Sequence, residues 1–210
     1  NFKEQLNKTI NDIKDISEQT SQMLQNLSEN PIIEETHTNL NQMKDDISNN
    51  NREQSISSSN SAEKNIQDIE QEINDIQDEF IDEEMKEITD DFIMIINNLL
   101  TISNQQEGLI SISKSIRSNS PLIVTINQGQ GNINRELDQI MDRLITLSNK
   151  TFFITPEINR AFGKIKMTIT NVINSFSQKK INTAKKSQRE SLNNINLATE
   201  LLMDALSQIQ

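Results

Sequence analysis

Few side chains in this sequence have much chemical reach. His37 is the only histidine, and there is no cysteine. Glu34 stands three residues before it, so the pair forms one Glu-x-x-His, a spacing that puts both side chains on one face of a helix. Helical di-metal proteins use that motif in two copies with further glutamates on facing helices. With no second histidine the site cannot be completed. One imidazole beside Glu34 and Glu35 also lacks the ligand set of a zinc site, and it has no nucleophile to activate. His37 therefore reads as an ordinary helix residue. Gly129-Gln130-Gly131 is the one glycine-rich spot, and it has neither the spacing nor the preceding strand of a phosphate-binding loop. The residues predict no catalytic, cofactor-binding or metal-ligating site, and no cofactor.

Charge is unevenly spread. Between positions 61 and 91, thirteen acidic residues stand against Lys64 and Lys86, a local balance of −11 that equals the net charge of the whole chain. Between 150 and 189, nine basic residues (Lys150, Arg160, Lys164, Lys166, Lys179, Lys180, Lys185, Lys186 and Arg189) face Glu157 alone. A basic face is the first requirement of a nucleic-acid binder, but the acidic whole argues against that class, and nucleic acid is not expected as a partner. Two readings of the charge remain: two solvated faces, or an acidic helix lying near the basic segment and setting register.

What must position these residues is a set of long helices. Hydrophobic residues make up 33% of 210, with four glycines and no tryptophan or tyrosine, a composition shared by disordered chains and by narrow-cored helices. Apolar residues at steps of three and four decide for helices. Leu6, Ile10, Ile13, Ser17, Thr20, Leu24 and Leu27 predict one helix over 2–28, ended by Asn30-Pro31. Pro31 suits the first turn of a second, with a thin stripe of Ile33, Leu40, Met43 and Ile47. The polar stretch 48–61 reads as a loop. Ile66, Ile69, Ile73, Ile76 and Phe80 then keep the rhythm, and Ile81, Met85, Ile88, Phe92, Ile95, Leu99 and Ile102 keep it one residue out of phase. That shift turns the stripe by about 100°. A helix break near 82–84, or one long helix that changes partners there, would produce it; one long, locally rewound helix is the expectation.

Ser120 and Pro121 predict the cap and first turn of the next helix, whose seam is Ile123, Ile126, Gln130, Ile133, Leu137, Ile140, Leu144 and Leu147. Thr155-Pro156-Glu157 starts another, with Ile158, Phe162, Ile165, Ile169, Val172 and Phe176. In the last, Ile181, Ile195, Leu202 and Ile209 form a row broken only by Gln188, beside a small-residue row of Ala184, Ser191, Ala198 and Ala205. Small residues let a partner backbone come close, so this helix should be the central member.

The fold expected is an all-α, elongated bundle of six or seven long antiparallel helices with coiled-coil-like seams. It divides into an N-terminal half 1–98, a connecting helix 99–120 and a C-terminal half 121–210. Pro31 and Pro156 open helices with matching positions at Leu40 and Ile165, Ile47 and Val172, and Ile56 and Ile181. An internal duplication and chance agreement at heptad spacing both explain that. The longest apolar run, FIMII at 92–96, is far short of the roughly 18 residues of a membrane span. The chain opens on Asn1 with neither an initiator Met nor a signal-peptide pattern, which suggests a fragment or processed product.

Three stretches carry a resemblance. LTISNQQEGL (100–109), DRLITLSNKTFFITPEINRAFG (142–163) and SQRESLNNINLATELLMDALSQIQ (187–210) resemble the C-terminal helical region of a family of large membrane-anchored Gram-negative bacterial proteins of unassigned function. The likeness implies an N-terminal membrane anchor outside this chain and a place in the cell envelope, on the periplasmic side of the inner membrane. It brings no catalytic residue. The function expected is a non-catalytic structural or assembly module that works by helix–helix packing, with a protein partner or self-association through its helices. The alternative is a binding module offering an apolar groove to a partner helix, peptide or lipid. An enzyme would need polar groups converging in a pocket, which the sequence does not supply.

Overall fold

The computed structural model describes residues 2–209, and among them the only regular elements are seven α-helices: α1 (Phe2–Ile13), α2 (Glu18–Glu29), α3 (Pro31–Ser48), α4 (Arg52–Ser113), α5 (Leu122–Lys150), α6 (Pro156–Ser177) and α7 (Ile181–Ser207). The protein is an all-α bundle. Its contacts divide it into two compact units, Asn1–Glu84 and Met85–Gln210. Residues 85–98, which the sequence assigns to the N-terminal half, therefore pack in the second unit.

In the first unit the expected single helix over 2–28 is two. Ser17 leaves the helical backbone at φ −138°, ψ 113°, and its hydroxyl accepts from the Thr20 N–H at 3.0 Å, an N-cap that starts α2 afresh. The same hydroxyl donates to Glu83 Oε2 at 2.6 Å, so the cap is pinned to α4. After the turn, α2 packs back on α1, and Ser21 Oγ donates to the Ile10 carbonyl. The stripe still faces inward on both helices: Leu6, Ser17, Thr20, Leu24 and Leu27 are buried, and Ile10 and Ile13 pack against them half-buried. The core of this unit is small: Leu6, Leu24, Leu27, Ile33 and Ile76, with Ile10, Ile13, Met23, Ile32, Ile69 and Ile73 packed around it.

The expected loop at 48–61 shrinks to residues 49–51. Asn50 takes a left-handed φ of 55°, its N–H donates to the Ile47 carbonyl, and the Asn51 N–H donates to the Asp46 carbonyl at 2.8 Å. That pair of bonds is a Schellman ending, which closes α3 in two residues and lets α4 begin at once. The polar run SISSSNS becomes helix because the long helix continues through it; serine's weak helix preference is overridden by propagation.

Through 82–84 α4 is uninterrupted α-helix, without the local rewinding expected. The turn of the stripe has another cause. Ile69, Ile73 and Ile76 face the small core of the first unit, whereas Ile88, Phe92, Ile95, Leu99 and Ile102 face that of the second, and the division between units falls at 84/85. A helix that changes partners along its length presents a different face to each.

The second unit draws one core from four helices. The C-terminal part of α4, then α5, α6 and α7, supply Phe92, Leu99, Ile133, Leu137, Phe162, Ile165, Ile195, Ala198 and Leu202 among others. Burying side chains of this size is worth about 1.5–3 kcal/mol each. A second cluster, Ile116, Ile126, Val172, Phe176, Ile181 and Ala184, sits beyond it. α4 ends at Ser113, so Ile116 reaches that cluster from the connection and not from the helix. Thr155 Oγ1 accepts from the Ile158 N–H at 3.4 Å, the cap expected for α6; α5 starts one residue later than expected, with Pro121 at the N-cap and Ser120 Oγ accepting from the Leu122 N–H just outside the helix. In the connector, Ile154 is buried and Phe153 is packed against the core, while Phe152 lies 86% exposed.

Among the described residues, α6 and α7 make the most extensive helix–helix contact. Ala184, Ser191, Ala198 and Ala205 are all buried on α7, and without long side chains between them the two backbones approach. Between these helices Lys179 repeats the ending of α3, with φ 57° and bonds from Lys179 N–H to the Phe176 carbonyl and from Lys180 N–H to the Ser175 carbonyl. The paired positions behind the duplication are used differently. Ile165, Val172 and Ile181 are buried, whereas Leu40, Ile47 and Ile56 are exposed.

Candidate functional site in a buried glutamine layer

Between the two apolar clusters of the second unit lies a polar layer. It is built at seam positions: Gln130 between Ile126 and Ile133 on α5, Gln188 between Ala184 and Ile195 on α7, and Gln106 and Ser113 continuing the heptad of Phe92 and Leu99 on α4. All three glutamines are fully buried, and Ser113 nearly so. Gln130 Nε2 donates to Gln106 Oε1 at 2.8 Å, Gln106 Nε2 donates to the Gln188 carbonyl at 3.0 Å, and Ser113 Oγ donates to Gln188 Oε1 at 2.7 Å. Three helices are thus tied by four side chains. Gln130 Oε1, Gln188 Nε2 and the hydroxyl of Ser191 have no partner among protein atoms.

Amides and hydroxyls of this kind neither titrate near neutrality nor attack substrates, so the layer offers recognition and not acid–base chemistry. What it recognises is the register of its own helices. A slip of α7 by one heptad would set Ile181 or Ile195 against Gln106 and strand an amide in an apolar core, at about 1–3 kcal/mol per group left unpaired. A single buried polar position fixes coiled-coil alignment in the same way, at some cost in stability.

The sequence's other candidates are scattered. His37 is exposed on α3, beside the exposed Glu34, and lines a cleft of about 330 Å³ with Phe2, Ile33, Thr36, Leu40, Ile66 and Ile69. Among the described residues no three His, Cys, Asp or Glu side chains gather as metal ligands. Gly129 and Gly131 stand inside α5, and only the glutamine between them enters the layer. Of the acidic run, Glu87 meets Lys150 of the basic segment at 2.6 Å. Glu72, Glu79 and Glu83 accept instead from Asn30, Gln19 and Ser17 in the first unit. Lys166 pairs with Asp138 on α5, outside that run, and Lys185 Nζ donates to the Lys114 carbonyl at 3.0 Å. No helix among the described residues is long and apolar enough to cross a membrane.

Gln130 and Gln188 were legible as interruptions of otherwise apolar seams. Gln106 and Ser113 were not singled out, although their spacing of seven from Leu99 carried the signal. The architecture places the chain among all-α helical bundles. No protein-family model, no curated protein and no solved structure matches it.

Proposed function

We propose that the chain is a non-catalytic structural module that acts by helix–helix packing, holding segments of a larger assembly at fixed spacing. The observation that carries this reading is the glutamine layer. Its hydrogen bonds run between α4 and α5 and between α4 and α7, and the apolar seams lie on either side of it within the unit. A core of this kind spends polar groups on alignment, the property a spacer or assembly element needs. A setting in the bacterial envelope, beside a membrane anchor elsewhere in the parent protein, rests on the resemblance of 100–109, 142–163 and 187–210 alone.

The test is a thermal-shift screen of the full chain against metabolites, nucleotides, metal ions and short-chain lipids. A packing module keeps its melting temperature throughout, while substitutions in the layer move it. A saturable shift produced by any one small molecule, and abolished by substituting the residues around it, would overturn the reading.

A further inference from the structure

The first unit leaves an apolar trough open. α3 and α4 run back from the turn at 49–51, with Asn30 Nδ2 reaching Glu72 at 3.3 Å near the far end. Between them and the start of α1 lies the cleft floored by Ile33 and Ile69, with Phe2, Leu40 and Ile66 on its walls, each of the three wall residues 39–47% exposed. Ile47, two heptads beyond Ile33 on α3 and 59% exposed, continues the apolar surface toward the turn. On α3 the floor and wall residues recur at helical spacing over 33–47, a length of about 20 Å at 1.5 Å per residue. An apolar trough of that length between two helices accepts the stripe of a third.

Charge selects the occupant. Glu63 and Glu70 flank Ile66 one turn to either side, Glu34 borders the α3 wall, and all three are exposed. The unit as a whole carries twenty acidic residues against six basic ones. A second copy of this unit would bring the same acidic rim against itself, and an anionic lipid surface would be repelled as well. We infer that the trough is a docking site for a cationic amphipathic helix, about four turns long, whose apolar stripe fills the floor while its lysines or arginines meet the glutamate rim.

The probe is a fluorescein-labelled 14-residue peptide of two LKKLLKL heptads, titrated with the full chain by anisotropy. Its counterpart with glutamate for every lysine, and phosphatidylglycerol vesicles, are run beside it. The expected result is saturable binding of the cationic peptide that weakens at least tenfold between 0.1 and 0.5 M salt, with none for the acidic peptide. The paired substitution Leu40→Lys, Ile66→Lys alters exposed side chains and should leave the helical circular dichroism intact while reducing binding at least tenfold. Val124→Lys, Met167→Lys in the second unit, also exposed, should leave binding unchanged. Equal binding to parent and trough variant would reduce the effect to general charge attraction and overturn the proposal. So would absence of binding, binding of the acidic peptide, vesicle binding lost in the trough variant, or self-association of the parent that the variant lacks.

Discussion

At Ala198 and Gln188, ten residues apart on the same helix, opposite demands are met. Ala198 is fully buried because the backbone of α6 needs its space. Ala198→Leu adds three carbons where no cavity waits, and we expect a loss of about 1–3 kcal/mol from overpacking, read as a lower denaturant midpoint at unchanged slope. An unchanged midpoint would mean that α6 and α7 do not press together there. Gln188 is buried for what it bonds. Gln188→Ala opens a void and leaves the Ser113 hydroxyl only the Ile110 carbonyl as acceptor, at about 1–3 kcal/mol. Replacing Gln106, Gln130 and Gln188 together by Leu removes donors and acceptors as a set, so the triple variant should be as stable as the parent or more so. Its cost should appear as lost alignment: broadened amide resonances or mixed oligomers in place of one well-dispersed spectrum. A triple variant both less stable and uniquely folded would show that the layer contributes net stability and not register.

Two helix segments show how neighbours decide what propensity leaves open. α5 carries two glycines, Gly129 and Gly131, on either side of Gln130, and the space around them differs. A Cβ at Gly131 meets nothing within 4 Å, whereas one at Gly129 would stand 2.7 Å from Leu109 Cδ2. Gly131→Ala should therefore stabilise by about 0.5–1 kcal/mol, the usual gain for removing glycine from a helix interior. Gly129→Ala should gain less or lose, because the Leu109 side chain must move first. Equal gains in thermal melts would mean that Leu109 turns aside without cost. α4 makes the complementary point: one unbroken helix serves two cores, and its change of stripe at 82–84 records a change of neighbours.

Over the whole molecule the two units differ in core and in charge. The first buries five apolar side chains at its centre and carries twenty acidic residues to six basic; the second buries two clusters and is close to balance. Crowded carboxylates repel, and salt relieves that repulsion as the Debye length falls from about 10 Å at 0.1 M to about 3 Å at 1 M. Residue-resolved hydrogen exchange should find α1–α3 opening more readily than α5–α7, and 1 M sodium chloride should raise protection in the first group more than in the second. Lys166→Glu, which breaks the pair with Asp138, should lower stability by no more than about 1 kcal/mol, as exposed pairs do. Salt that protects both groups equally would remove repulsion as the cause of the difference.

The sequence by itself determined which residues are helical and which face inward wherever the apolar stripe was dense. The seams of α5, α6 and α7 and the cap at Thr155 stand where their spacing put them, because the 3.6-residue period and the cap hydrogen bond are local. Tertiary structure decided the rest. The break at Ser17 needed Glu83, sixty-six positions away, to hold its hydroxyl. The shortness of the turn at 49–51 needed a left-handed Asn50, a conformation that asparagine adopts in some contexts and not others. Leu40 and Ile47 have the letters of a buried stripe and stay exposed because no helix among the described residues comes to cover them. Gln106, Gln130 and Gln188 became one layer only when three distant helices brought them to the same height, since a lone buried amide is a defect until another amide stands within about 3 Å of it.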